Sequence, residues 1–166
     1  MVTYNRGHLW VFTFKEGLLS PIAHDLRLSL ERFEVIVDGR KVKGTFWVET
    51  LNVDGAMKGD QLQTRTLNIL ERKQIKRTIR KEILDTKRFP TASFQGEIAE
   101  AKVVGDLTLK SQTQPVSIPM VAEHSPVSGR VELMPSQWGI APYSALLGTL
   151  KLQDRLQIEF SLEAYP

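Results

Sequence analysis

The chain has 166 residues, 42% hydrophobic and 25% charged, as in an ordinary water-soluble protein, and its length predicts one domain over residues 1–166. It has no cysteine, which excludes disulfides and cysteine-ligated metals, and no apolar run near the roughly 18 residues that a membrane helix needs. Its net charge of +3 is uneven, because residues 65–88 carry nine Lys/Arg against three acidic residues, whereas the rest carries 13 against 16.

The first predicted strand covers residues 8–14 and places Trp10, Phe12 and Phe14 on one face. Its apolar run is short and ends in a Lys-Glu pair without a small-residue cleavage site, so we interpret it as a strand and not as a signal peptide. We therefore expect a cytoplasmic protein, or a periplasmic one if the chain is a processed form.

Residues 24–30 alternate more cleanly, with Leu26 and Leu28 on the apolar face. The next two predicted strands, 33–37 and 42–48, flank an Asp-Gly pair that is typical of a hairpin turn with positive φ. These residues indicate a run of neighbouring antiparallel strands.

A helix is predicted over residues 66–84. Leu70, Ile75, Ile79 and Ile83 form an apolar stripe on it, and Lys and Arg cover its other sides. The Phe-Pro pair that follows favours an extended backbone and ends the helix.

Five further strands are predicted in the second half, at residues 92–98, 103–109, 116–122, 127–133 and 156–162. Prolines in and before the third of these remove hydrogen-bond donors from the ladder, which indicates an edge or bulged strand.

Nine strands with one apolar face each must bury those faces in a sandwich or in a closed barrel. Near-sequential hairpins favour the barrel, so the predicted fold is all-β: an antiparallel barrel of about eight strands with an amphipathic helix at or beside its mouth. The lumen of such a barrel is filled by side chains or holds one slender ligand.

No motif for catalysis is found. The three histidines lack metal-binding spacing, GxSxG and glycine-rich phosphate loops are absent, and the carboxylates are dispersed. We predict no enzyme, no catalytic residue, no metal and no cofactor.

Three features have competing interpretations. His24 is either a hydrogen-bonded histidine at a strand end, an anchor for a ligand head group, or a metal or proton site. The basic side of the helix is either a solvated surface or a site that attracts an anionic membrane or a lipid pyrophosphate. Nucleic acid is the least favoured partner, because no aromatic residues alternate with the basic ones for base stacking. The segment 138–152 either plugs the core or forms a lid.

Four segments carry a family resemblance: "SPIAHDLRLSLERFEVIVDG", "ILDTKRFPTASFQGEI", "VVGDLTLKSQTQPVSIPM" and "SQWGIAPYSALLGTLKLQDRLQIEFSLEA". In this order they resemble the YceI-like family, polyisoprenoid-binding proteins with a lipocalin-like barrel. The resemblance implies an eight-stranded barrel that holds a long isoprenoid chain without transforming it, and in some members a homodimer.

The predicted ligand is therefore an isoprenoid lipid or isoprenoid quinone, with transient contact to an anionic membrane surface. The predicted binding residues are Trp10, Phe12, Phe14, His24, Leu26, Leu28, Phe46, Phe94, Leu107, Leu109, Ile118, Met120, Trp138, Tyr143 and Leu146. The head-group candidates are His24, Tyr143, Arg77 and Arg80. The alternative is a filled-core barrel that acts as a protein-interaction or stress-related module through the basic helix or residues 138–147.

Overall fold

The computed structural model describes residues 1–17, 24–122, 126–145 and 150–165. Those residues form twelve strands, two short 3₁₀ helices (Val48–Thr50 and Pro135–Trp138) and one α-helix of ten residues, which continues into a five-residue π-helical turn. The strands are β1 (Val2–Lys15), β2 (Asp25–Leu30), β3 (Phe33–Asp38), β4 (Lys41–Phe46), β5 (Leu51–Lys58), β6 (Gln61–Gln63), β7 (Ala92–Ala99), β8 (Lys102–Leu109), β9 (Gln112–Val121), β10 (Val127–Leu133), β11 (Ser144–Ala145) and β12 (Leu150–Ala164). The helix is α1 (Ile69–Thr78), followed by the turn Ile79–Ile83.

Eight strands close into an antiparallel barrel in the order β1, β3, β4, β7, β8, β9, β10, β12. The last strand pairs with the first, for example Leu9 with Phe160 and Val11 with Ile158, which closes the ring. The predicted eight-stranded barrel is confirmed. Closure leaves each strand with one face on the lumen, so the apolar residues of that face are buried without a second sheet.

The sheet forks beside β1. Ser29 of β2 pairs with Trp10, and Val35 of β3 pairs with Tyr4, so β2 and β3 follow the same edge of β1 in one continuous register. Residues 31–32 separate β2 from β3. On one side of this break, β4 continues the barrel from β3, whereas on the other side β5 pairs with β2 and leaves the ring. Helix α1 packs on β5, which places the helix at the end of the barrel where β1 ends.

Gly7 allows β1 to begin earlier than predicted. A register shift against β12 falls between Tyr4 and Arg6, and Gly7 follows with φ +99°. A Cβ at this glycine would lie 2.0 Å from the Ser161 carbonyl oxygen. The bulge therefore requires glycine, and it lets β1 remain paired with β12 from Tyr4 to Lys15.

Helix α1 begins at Ile69 and not at residue 66, because Asn68 caps it. The Asn68 side chain accepts from the Glu71 backbone N–H at 2.9 Å, and the Glu71 carboxylate accepts from the Asn68 N–H at 2.8 Å. This reciprocal pair is a capping box, and its Asn-x-x-Glu spacing is visible in the sequence.

The predicted apolar stripe of the helix is confirmed at Ile75, Ile79 and Ile83, which pack against the core. It is wrong at Leu70, whose side chain is 76% exposed. Five residues separate Leu70 from Ile75, which is about 140° around a helix axis, so the two cannot share one face.

Strand β9 is not an edge strand, because it pairs with β8 from Gln112 to Pro119 and also with β10. Met120 donates its N–H to the Ala101 oxygen, so even-numbered amides face β8 and the positions of Pro115 and Pro119 face β10. On that side β9 and β10 pair at only two positions. The prolines thus limit pairing along one seam of the barrel instead of marking an edge.

Three described strands were not predicted: β5, β6 and β11. Strand β5 interrupts its alternation with Gly55 and two consecutive buried residues, and β6 and β11 have only three and two residues, too few to show periodicity. Among the helices described, none combines the length and apolarity of a membrane crossing.

Candidate ligand-binding cavity

The barrel encloses a cavity of about 970 Å³. Alternate apolar side chains from every barrel strand line it, and Ile75, Ile79 and Ile83 of the helical segment cover one part. The volume lies near the top of the range of about 300–1,000 Å³ for small-molecule pockets. Since a cavity of about 150 Å³ accommodates one benzene ring, this lumen has room for about six. The filled-core interpretation of the inner face is therefore wrong.

Glycines on the inner face let phenyl rings lie against the wall. A Cβ at Gly44 would lie 2.8 Å from the Phe46 ring, and a Cβ at Gly129 would lie 2.5 Å from the ring of Phe160, its cross-strand partner. Gly96 lies under the ring of Phe94 in the same way. Because these rings occupy space that a Cβ would need, they do not extend across the lumen.

Ten of the predicted binding residues line the cavity: His24, Leu26, Leu28, Phe46, Phe94, Leu107, Leu109, Ile118, Met120 and Tyr143. Their positions on the inner face follow from the period-two alternation that predicted them. That they contact a ligand stays a prediction.

The predicted inner face of β1 is wrong. Leu9, Val11 and Thr13 line the cavity, so the aromatic residues at positions 10, 12 and 14 lie on the other face. Strand register explains this choice, since Val11 pairs with Leu28 and Thr13 with Leu26, and paired residues share a face.

Cations cover the outward aromatic residues of β1. The Arg27 guanidinium lies 4.3 Å from the centre of the Trp10 ring, which also stacks on His8 at 3.9 Å. Arg155 lies 4.0 Å from the Phe14 ring, and the Phe12 ring meets Trp10 edge to face. Trp10, Phe12 and Phe14 therefore find partners on the outer surface, where each stays partly exposed.

Trp138 does not line the cavity, contrary to prediction. It ends the 3₁₀ helix Pro135–Trp138, is 2% exposed, and donates its indole N–H to the Leu107 oxygen at 2.8 Å. This bond fixes the indole in the core, so Trp138 anchors the segment whose following residues, 140–143, border the cavity. Leu146, also predicted as a binding residue, lies outside the described residues.

The head-group candidates separate into two pairs. His24 and Tyr143 line the cavity, whereas Arg77 and Arg80 of the helical segment do not. Arg80 instead donates to the Leu51 carbonyl oxygen at 3.0 Å and so ties the helical segment to β5. A contact of Arg77 or Arg80 with a ligand head group stays a prediction, and neither residue belongs to the lining of this cavity.

The described polar lining residues, apart from Tyr4 near the start of β1, cluster at one end of the barrel, which we call the mouth. It is the end where β1 ends, β2 and β12 begin and α1 packs, and its polar lining residues are Thr13, His24, Glu71, Gln74, Thr78, Tyr143, Gln153 and Arg155. Toward the opposite end, the lining includes a small apolar cluster around Val42, Phe94 and Val103. A ligand with one polar end would therefore lie with that end at the mouth.

The charged residues of the mouth are already engaged. Arg155 forms an ion pair with Glu132 at 3.1 Å, and Glu71 caps its own helix. Gln153 donates to the Lys15 oxygen at 2.9 Å. Within the described ranges, no three His, Asp or Glu side chains are grouped as a metal site would need.

Strand β12 supplies lining residues that the sequence reasoning did not select: Leu156, Ile158, Phe160 and Leu162. Their alternation with Gln157, Glu159 and Ser161 is visible in the sequence and gives the same signal as the strands that were selected. Thr13 was also missed, since a hydroxyl residue between apolar neighbours has no distinctive pattern.

Comparison with known proteins places the fold. A family model described as a YceI-like domain matches residues 25–164. Similar solved structures are BcnA of Burkholderia cenocepacia (19% identity, 95% of this chain and 96% of that chain, TM-score 0.64), and a polyisoprenoid binding domain from Saccharophagus degradans (8%, 98% and 98%, 0.64). A third is the YceI protein of Campylobacter jejuni (12%, 92% and 90%, 0.58). Among curated proteins, none matches the chain.

Proposed function

Since the chain belongs to the YceI-like family, we propose that it binds a long apolar ligand inside the barrel and carries or sequesters it without chemical transformation. The ligand class is an isoprenoid or an isoprenoid quinone. The observation that carries this proposal is the cavity of about 970 Å³ with an almost entirely apolar lining. The structural similarity to a domain described as polyisoprenoid binding supports the same ligand class.

Apolar burial supplies the affinity in this proposal. Each 100 Å² of ligand surface removed from water contributes about 2.5 kcal/mol, so a long chain needs few polar contacts to bind tightly. Rings such as Phe46 and Phe160 lie against the wall, which leaves a continuous lumen for an extended chain. The polar residues at the mouth then set the orientation of the ligand.

Native mass spectrometry of freshly purified protein, followed by organic extraction, tests the proposal. We expect a mass adduct that extracts as an isoprenoid, or uptake of an eight-unit polyprenol or a ubiquinone by protein that has been stripped of lipid. Protein that is free of adduct and takes up neither probe would contradict it.

The first turn of α1 supports a transient contact of the mouth with an anionic membrane. Ile69 and Leu70 are 63% and 76% exposed there, and Arg72 and Lys73 follow directly. Glu71, between them, lines the mouth, so this turn stands at the ligand's entrance. Exposed apolar residues beside basic ones suit an anionic bilayer surface.

Cosedimentation with vesicles tests this contact. We expect binding to vesicles that contain phosphatidylserine and not to pure phosphatidylcholine, and loss of binding in Ile69→Ser/Leu70→Ser. Val121→Ser is the matched control, because Val121 is 61% exposed at the opposite end of the barrel. An equal loss in the control would contradict docking through the mouth.

A homodimer stays a prediction, which sedimentation velocity of the purified protein tests. The alternative function is a protein-interaction module. The cavity contradicts the filled core that this alternative assumed, but the exposed basic side chains of α1 remain available to a protein partner. Capture of a protein partner that depends on Lys73 and Arg77 would favour it over lipid binding.

A further inference from the structure

Thr13 presents a buried hydroxyl without a partner. The residue is 7% exposed and lines the cavity, and its Oγ1 makes no hydrogen bond in the part of the chain that the structure describes. A buried unpaired hydroxyl is unfavourable, and valine would fill the same space without that penalty. Since Thr13 lines the cavity, a ligand in the lumen is one source of the missing partner.

Water does not supply that partner well. An ordered buried water needs two to four polar partners, and the residues opposite Thr13 on the neighbouring strands are Leu26 and Leu156. Val11, two residues along β1, is also apolar. These described neighbours offer a water no polar partner, and His24 lies toward the mouth on the same face as Leu26.

The charges of the lining indicate what kind of partner fits. Among the described lining residues, Arg155 is the one Lys or Arg, and it is held by Glu132 and the Phe14 ring. Glu71 is the one carboxylate, and it is held by the cap of α1. A phosphate or pyrophosphate group needs several hydrogen bonds from cationic side chains, and the one Lys or Arg of the described lining is already held by other residues.

From this geometry we infer that Thr13 anchors the uncharged, oxygen-bearing end of the ligand at the mouth, and thereby selects a carbonyl or hydroxyl head group over a phosphorylated one. The hydroxyl donates to a quinone carbonyl or accepts from an alcohol, while the apolar chain extends along the lumen toward Val42 and Val103. This inference rests on the proposed function and specifies its ligand class.

Displacement of a fluorescent apolar probe from the lumen measures the affinities. The competitors share one isoprenoid length and differ at the end: a hydrocarbon, an alcohol, a benzoquinone and a pyrophosphate. For the intact protein we expect the alcohol or the quinone to bind tightest and the pyrophosphate to gain nothing over the hydrocarbon. Whichever of the alcohol and the benzoquinone binds more tightly identifies the type of head group that the mouth prefers.

Thr13→Val should weaken the tighter of these two by about three- to tenfold, the value of one hydrogen bond, and leave the hydrocarbon unchanged. Thr45→Val is the matched control, because Thr45 lies between Gly44 and Phe46 of the inner face and therefore points outward. It should leave all four affinities unchanged.

The outcomes separate the inference from the proposed function. Equal weakening of hydrocarbon, alcohol and quinone in Thr13→Val, or no weakening of any, overturns the anchor. A preference of the intact protein for the pyrophosphate overturns the uncharged head group. If the hydrocarbon and every other competitor fail to displace the probe, lipid binding itself fails.

Discussion

At the scale of single residues, a substitution at Leu28 tests whether the lumen is free space that a ligand can occupy. Its side chain is 4% exposed yet borders a cavity large enough for an indole ring. A fully packed core does not tolerate a larger replacement, whereas a side chain that borders a cavity has free space on that side.

We expect Leu28→Trp to fold, with a loss in the free energy of unfolding below about 1 kcal/mol, where overpacking of a full core costs about 1–3 kcal/mol. Lipid uptake should fall at least tenfold, because the indole enters the lumen. Chemical denaturation and the displacement assay measure the two effects.

Ile36→Trp is the control for this substitution, since Ile36 lies on the outer face between Val35 and Val37, which line the lumen. It adds similar bulk outside the barrel and should leave uptake unchanged. A Leu28→Trp protein that unfolds, or that takes up lipid normally, contradicts the proposed cavity function.

The residue scale is also where sequence reasoning loses accuracy. Along β1 both faces are apolar or aromatic, so alternation alone did not say whether Trp10 or Val11 faces the lumen. The pairing of Val11 with Leu28 settles it, and pairing is a long-range property that one strand's sequence does not contain. In β2, where Arg27 and Ser29 are polar, alternation was sufficient.

At the scale of elements, the helical segment is one wall of the cavity as well as a part of the fold. Ile75, Ile79 and Ile83 face the lumen, and Arg80 holds the segment to β5. Its N-terminus depends on the Asn68–Glu71 capping box. The stability of the cap and the retention of ligand should therefore be coupled.

We expect Asn68→Ala to lower the free energy of unfolding by about 1 kcal/mol, because it removes the acceptor for the Glu71 N–H. Release of a preloaded lipid should accelerate by up to about fivefold, because a free-energy change of about 1 kcal/mol corresponds to about a fivefold change in a rate constant. Denaturant titration and stopped-flow release measure these changes.

Lys73→Ala provides the comparison within the same helix. Lys73 is exposed and alanine favours helix, so this variant should keep stability and release rate or improve them slightly. An Asn68→Ala protein that is destabilised but releases lipid at the normal rate would show that α1 does not retain the ligand.

At the scale of the whole molecule, closure of the barrel was predictable because nearly every strand carries one apolar face. The fork beside β1 was not, since it depends on β5, whose irregular alternation hides it. The prolines of β9 were recognised, but their consequence depends on which neighbour their positions face. The resulting ring is strongly paired between β1 and β12 and weakly paired between β9 and β10.

The weak pairing between β9 and β10 predicts local differences in amide hydrogen exchange. Ser117 lies between Pro115 and Pro119, on the side of β9 that faces β10, where no pairing reaches it. Its amide should exchange at least about tenfold faster than those of Val116 and Ile118, which face β8. Hydrogen exchange followed by NMR measures all three, and uniform protection would contradict the seam.

The rings of Phe46, Phe94 and Phe160 rest on glycines, so the shape of the lumen is stored in side-chain torsions and not in the backbone. Each ring lies against the wall and borders the cavity. Rotation about two bonds per ring therefore adjusts the bore to the ligand while every strand pair stays in register. We therefore expect the lumen to tolerate ligands of different length and branching, with the selectivity set at the mouth.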